Sequence, residues 1–458
     1  MRGPEHPGAG VSRPPHQGLI SQADLERAID LALSHAAASG AEQAEAGASA
    51  SEGLGVTVRL GEVETIEFHL DRGFGVTVYR GGRKGAAGSS ELSEAAVRAA
   101  VDKALSIATL TEPDPASGLA DAHLMATHFP DLDLDHPWEL DADAAIAIAT
   151  RCEDAARAAD PRIDNSEGAS VSSERSVRSY GNSHGFRAST PSTAHSLSCV
   201  VLATADGRKE RDHWYDSNRV AGALATPEQI GQIAAQRTVA RLGARRIATG
   251  RSAVLFPPEL ARGLLRQLLS AIRGRAQYQE SSFLLGAVGT QVLPAWVHLD
   301  ERPHLARAFG SSAYDSDGVA TEDRRLVDAG VLTSYQLSSY SARRLGLAPT
   351  GHAGRSHNLE VSSSHADLAA LMREMGDGLL VTELMGHGTN PVTGDYSHGA
   401  AGFLVRGGEL QHPVSEVTIA GNLKDMLLGI VGIGADTDLR GAIRSGSILI
   451  DGMTVAGE

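Results

Sequence analysis

Apolar residues recur at helical spacing in Leu25, Ile29 and Leu33, behind Ser21 and Asp24, which predicts a first helix opened by a capping box. Val56-Thr57-Val58-Arg59, residues 63–69 and Gly75-Val76-Thr77-Val78-Tyr79 then alternate apolar and polar. Gly61-Glu62 and Asp71-Arg72-Gly73 separate them, so a β-meander is expected. The string Gly-Val-Thr-Val at 55–58 and 75–78 reads as two similar strands rather than a repeat architecture. Ser93 caps a helix carrying Val97, Val101, Leu105 and Ala108, and a polar, Pro/Asp-rich connection fills about 111–138. A helix over about 141–159 leads into two hairpins, one turning at 181–185 and one joining 197–203 to 208–215 through Asp206-Gly207. Thr226-Pro227-Glu228-Gln229 starts another helix, with Thr as N-cap and Pro in the first turn.

The second half opens with a strand at 252–256, Pro257-Pro258 and a helix to about 273. A hairpin is expected from 326–332 and 333–340, and Ser364 with Asp367 starts a helix through Met375. Residues 379–425 then alternate short apolar runs with a Gly-rich polar interruption, Gly386-His387-Gly388 through Thr393-Gly394-Asp395-Tyr396. Strands that stop at one edge and project a polar loop fit this pattern, and such loops often carry binding groups. The pattern as a whole is α+β: an N-terminal region of helices and antiparallel strands, then a β-rich C-terminal domain. The expected division is a disordered tail at 1–18, an N-terminal α+β domain at 19–245 and a C-terminal domain at 246–458.

Composition narrows the function. The formal net charge of −15 and an aromatic content of 4% argue against a nucleic-acid surface, which needs cations for phosphates and rings for bases. The two cysteines, Cys152 and Cys199, have no CxxC partner, so a thiolate metal cluster is not expected. No run approaches the roughly 20 apolar residues of a membrane helix, and the start of the chain lacks the apolar core of a secretory signal. A cytoplasmic chain is the expectation.

Individual motifs carry little chemistry. Gly181-Asn182-Ser183-His184-Gly185 fits a nucleophile-elbow string, but that device needs a strand-to-helix turn and this one sits in a hairpin. Gly81-Gly82-Arg83-Lys84-Gly85 lacks the following helix of a phosphate loop. Asp131-Leu132-Asp133-Leu134-Asp135-His136 lacks the Gly and distal Glu of an EF-hand. His352, His357, His387, His398 and His412 crowd the last third. Scattered loop histidines are ordinarily surface side chains, although His387 and His398 flank the polar loop.

Several ordered blocks resemble the TldD/PmbA family, and more closely its PmbA (TldE) branch. They are Tyr180-Gly181-Asn182-Ser183-His184-Gly185, Thr350-Gly351-His352-Ala353-Gly354, Val381-Thr382-Glu383-Leu384-Met385-Gly386, Thr393-Gly394-Asp395-Tyr396-Ser397, and Gly421-Asn422-Leu423-Lys424-Asp425-Met426. The resemblance implies a proteolytic assembly in which a TldD-like zinc-bearing subunit pairs with a PmbA-type subunit as a heterodimer, acting on unfolded or small peptides. It places zinc on an H-E-x-x-x-H helix of the TldD-type subunit, with a later Cys ligand. Here Arg266, Gln267 and Ala271 stand at the His, Glu and His positions, and no Cys follows Cys199.

The expectation is therefore a chain without catalytic or metal-ligating residues of its own, zinc being held by the partner. Gly386, Thr393, Gly394, Asp395 and Tyr396 are the candidates for a peptide-facing edge. The alternatives are a metallopeptidase with an unconventional site, a homodimeric peptide-binding protein, and, for the loop, a turn held by Asp395 bonding its own backbone.

Overall fold

The structure, a computed structural model, describes residues 21–458, so the tail expected at 1–18 lies outside the described residues. The chain begins with α1 (Gln22–Ala38), β1 (Gln43–Arg59), β2 (Glu62–Arg80), β3 (Arg83–Ser89) and α2 (Glu94–Leu110). It repeats that order in α3 (Ala142–Ala159), β4 (Ile163–Asn182), β5 (Arg187–Ala205), β6 (Arg208–Asn218) and α4 (Pro227–Ala240). Each unit is a helix, a three-strand meander and a helix. β1 and β4 meet antiparallel, with Glu45 opposite Asn182 and Val58 opposite Ala169. The result is one sheet in the order β3-β2-β1-β4-β5-β6. The duplication is of element order, and the two Gly-Val-Thr-Val strings are not its units: both fall inside the first meander.

Alternation along β1 explains how one sheet holds four helices. Ala44, Ala46, Ala48, Ala50, Leu54, Val56 and Val58 are all buried, and at a period of two they share one face. α1 and α2 pack on its first stretch, α3 and α4 on its second. The helix starts read from sequence are present: reciprocal capping boxes at Ser21/Asp24 and Thr226/Gln229, and a Ser93 hydroxyl accepting from the Ala96 N–H.

Two expectations about these strands change. β1 starts at Gln43 rather than near Val56, and β2 runs unbroken through Asp71-Arg72-Gly73, which pair with Ser51, Ala50 and Ser49. Residues 43–53 are mostly Ala, Gly, Ser and Glu, poor strand formers in isolation. The long ladder overrides that preference because helices lie so close that little more than a methyl fits. A Cβ on Gly231 of α4 would sit 2.2 Å from the Cys152 carbonyl oxygen of α3, and one on Gly85 of β3 1.9 Å from that of Ala104.

The second half holds β7 (Gly250–Phe256), α5 (Pro258–Ala271), α6 (Gly274–Tyr278), β8 (Leu299–Glu301), β9 (Arg324–Asp328), β10 (Val331–Leu332), α7 (Ser339–Leu345), β11 (Leu359–Val361) and α8 (Leu368–Met375). It continues through β12 (Gly378–Met385), β13 (Asp395–Arg406), β14 (Glu409–Asn422), α9 (Leu423–Leu428), β15 (Ile430–Ile433), β16 (Ile443–Arg444) and β17 (Ile448–Ala456). The larger sheet runs β14-β13-β12-β7-β17-β15, and a further β14–β17 pairing closes the ring of strands. Closure removes exposed strand edges. A smaller sheet, β10-β9-β8-β11-β16, packs beside it.

Two more sequence readings are corrected here. The expected arm 333–340 is not a strand, since Ser338 opens α7 by a capping box with Ser341. The helix expected from Ser364 starts later, with Asp367 as its N-cap. The connection at 111–138 straps the halves together: Met125 bridges Val319, and the Arg343 guanidinium donates to the carbonyls of Ala116, Gly118 and Leu119.

Candidate functional site

The polar loop between β12 and β13 is built around two glycines. A Cβ at Gly388 would fall 1.4 Å from the Ser397 carbonyl oxygen, so only Gly allows the loop to fold back this closely. Gly394 has φ +83° and is buried against Phe283 and Asn422. The Thr393 hydroxyl donates to Asp395 Oδ2 at 2.6 Å, and Asn422 Nδ2 reaches the Thr393 carbonyl at 3.0 Å. Tyr396 points inward, 4% exposed and 4.4 Å from the His398 ring. Gly386, Thr393 and Asp395 are exposed while Gly394 and Tyr396 are buried, so the five candidates divide into a rim and its support.

His398 Nε2 lies 2.9 Å from the Thr389 hydroxyl, and burial pulls its pKa below the ordinary imidazole value. Among the described residues no three His, Cys, Asp or Glu side chains are grouped to hold a metal ion.

The zinc implied by the family likeness finds no donors at the α5 positions that the resemblance assigns to it, Arg266, Gln267 and Ala271. Arg266 is exposed, Gln267 is half-buried and Ala271 is buried at the end of the helix. The Ala271 carbonyl accepts from Gln277 Nε2 and the Ser282 hydroxyl, both at 2.7 Å. Leu264, Leu265, Leu268 and Leu269 fix the helix by their burial. A guanidinium, a carboxamide and a methyl offer neither imidazole nor carboxylate to the metal. These residues do not fit zinc.

The expectation that the late histidines lie on the surface fails for two of them. His352 and His357 are 8% and 2% exposed, and both meet Glu301, which is 1% exposed. His352 Nε2 bonds Glu301 Oε2, and the His357 N–H donates to Glu301 Oε1 at 2.6 Å. Burial raises the Glu301 pKa, but the His352 hydrogen bond and charge with His357 outweigh it and hold the carboxyl below its ordinary range. The arrangement is a closed hydrogen-bonded cluster joining β8 to the segment before β11. Its sequence signal, Gly351-His352-Ala353-Gly354, gives no hint of burial because Glu301 lies far away in the chain.

Other motifs resolve into structure. Ser183 sits in the β4–β5 turn and its hydroxyl accepts from the Ala44 N–H at 3.1 Å. Asp135 holds Arg175 bidentately at 3.0 and 2.7 Å, and Asp133 pairs with Arg307 at 2.5 Å, so the acidic run is spent on arginines. Sequence reading did not find a cavity of about 660 Å3 between the uncovered face of the N-terminal sheet and the loop at 309–316. Its walls come from separate segments, which no single motif in the sequence joins.

Three family models cover the chain: the PmbA/TldA metallopeptidase domain 1 at residues 44–108, the central domain at 135–242 and the C-terminal domain at 249–457. The chain is 47% identical over 445 residues to the metalloprotease PmbA of Escherichia coli O157:H7, covering 96% of this chain and 99% of that one. It is 45% identical to a metalloprotease PmbA homolog of Haemophilus influenzae, covering 95% and 96% of the two chains. A crystal structure described as a modulator of DNA gyrase from Bacteroides thetaiotaomicron superposes with a TM-score of 0.90 at 28% identity, covering 94% of this chain and 99% of that one. TldE from Thermococcus kodakarensis shares the fold at a TM-score of 0.77 and 19% identity, covering 95% and 100%. With this architecture and these relatives, the chain belongs to the PmbA/TldD metallopeptidase family, in its PmbA branch.

Proposed function

We propose that this chain is the non-catalytic subunit of a two-component metallopeptidase, pairing with a TldD-like subunit that carries the zinc. One observation supports the reading: α5, which the family resemblance matches to the zinc helix, presents Arg266, Gln267 and Ala271, whose side chains can neither bind zinc nor activate water. The chain's contribution is then to peptide binding, with the rim residues Gly386, Thr393 and Asp395 facing the substrate and Gly394 and Tyr396 setting their position. An extended substrate suits such a rim, since main-chain pairing tolerates varied side chains. No helix among the described residues is long and apolar enough to cross a membrane. A cytoplasmic site of action belongs to the same proposal.

The test is a peptidase assay on this chain, on a paralogue bearing an H-E-x-x-x-H helix, and on the mixture, each with and without chelator. Cleavage only in the mixture, abolished by chelator, is expected. Chelator-sensitive cleavage by this chain alone, with stoichiometric zinc, would overturn the reading.

A further inference from the structure

The N-terminal sheet covers only one of its faces with helices. On the other, Gly47 and Ser49 of β1, Gly73 and Gly75 of β2, and Ser176 and Arg178 of β4 floor the cavity of about 660 Å3. Cavities of about 300–1,000 Å3 are the usual size for small-ligand sites. The loop at 309–316, with Arg219 and Arg355, forms its remaining wall.

Three arginines, Arg178, Arg219 and Arg355, line this space. Among the described residues, neither Arg178 nor Arg355 has an acidic partner within the 4.0 Å of an ion pair. Arg219 donates only to carbonyl oxygens, those of Thr193 at 2.9 Å, Phe309 at 3.3 Å and Ala308 at 3.4 Å. Burial, with the charge of Arg178 next, pulls the Arg355 pKa down against the smaller opposing effects of Tyr314 and Asp315. The acid at the wall, Asp315, is turned away: its carboxylate accepts from the N–H groups of Asp317, Val319 and Ala353 at 2.8 to 3.0 Å. Burial, with the charge of Asp317, pushes its carboxyl up to about 7. Arg355 is half-buried and Arg178 exposed, so their donors remain open to a ligand, and a carboxylate matches the planar donor fork of a guanidinium.

The floor glycines point the same way. A Cβ on Gly75 would meet nothing within 4 Å, one on Gly47 nothing nearer than 3.8 Å and one on Gly73 nothing nearer than 3.5 Å. None has a positive φ. Neither backbone nor packing demands glycine here, so what their lack of side chains supplies is room.

Beyond this space lies a second cavity of about 430 Å3 of opposite character, lined by Glu45, Asp114 and Asp317 with Lys84. Tyr180, at the edge of the first cavity, donates to Glu45 at the edge of the second at 2.8 Å. A cationic space beside an acidic one suits a ligand carrying a carboxylate at one end and an ammonium at the other.

We propose that the sheet face is a binding site for the free C-terminal carboxylate of a short peptide, held by Arg355 and Arg178 over the Gly47/Gly73/Gly75 floor. This goes beyond the non-catalytic reading, because binding here needs neither zinc nor a partner subunit. The test uses the full chain alone and calorimetric titration with trialanine, trialanine amide and succinate.

Trialanine is expected to bind, with the amide at least about tenfold weaker, the loss of one charge-assisted pair. Arg355→Gln should weaken trialanine binding by a similar factor, and Gly75→Val should abolish it by filling the floor while leaving the melting temperature near that of the parent. Equal binding of acid and amide would overturn the proposal. So would an Arg355→Gln chain that is folded by circular dichroism and binds trialanine as the parent does. Succinate binding as tightly as trialanine would overturn the peptide assignment.

Discussion

The two halves of the molecule solve the packing problem in opposite ways. The N-terminal half builds its cores from alanine, valine and close helix–sheet approach, as in Ala44, Ala46, Ala48, Ala100 and Ala104. The C-terminal half uses larger apolar side chains, such as Phe256, Leu265, Leu268, Leu293 and Ile450, and admits a buried polar cluster at Glu301. A core of small residues depends on distance, so it fails when a methyl is added. A core of large residues depends on volume, so it fails when a side chain is removed.

The largest expected effect tests the polar cluster. Glu301→Ala should destabilise the fold by about 3–5 kcal/mol, since it leaves His352 and the His357 N–H without their buried partner; denaturant unfolding measures this. The same carboxyl fixes a pH dependence. Its folded pKa is depressed below that of a free glutamate, so its stabilisation is fully present above the free value and lost as pH falls through the lower folded value. Glu301→Gln should flatten the acid limb of the stability curve relative to the parent. An acid limb of unchanged slope would show that other carboxylates set it.

Next in size, Leu265→Ala should cost about 2–5 kcal/mol through the cavity it leaves beneath α5. Its counterpart, Gly231→Ala, adds one methyl against the Cys152 carbonyl and should cost about 1–3 kcal/mol. Were Gly231→Ala neutral, the claim of distance-limited packing between α3 and α4 would fall. The smallest expected change is Thr226→Ala, about 1 kcal/mol for the lost cap of α4, read as a small drop in melting temperature.

Helix starts were legible because capping is local: Ser21, Ser93 and Thr226 each announce the turn that follows them. Hairpin turns at 181–185 and Asp206-Gly207 were legible for the same reason. The first half of β1 was not, because residues 43–53 become a strand only through pairing with both β2 and β4. The polar loop was visible in its Gly and Asp residues, but the burial of Gly394 depends on Phe283 and Asn422, which come from other segments. The cavity arginines carried no signal, since Arg178, Arg219 and Arg355 stand in three unrelated stretches.

By itself, the sequence determined the α+β class and the family, because each rests on residue identity or short-range pattern. Tertiary structure alone decided that two α-β-β-β-α units join through β1 and β4, that Glu301 closes on His352 and His357, and that the uncovered sheet face gathers unpaired arginines over a glycine floor. Those outcomes depend on which distant residues meet, and the energy of burying a charge or leaving a space is set only once they do.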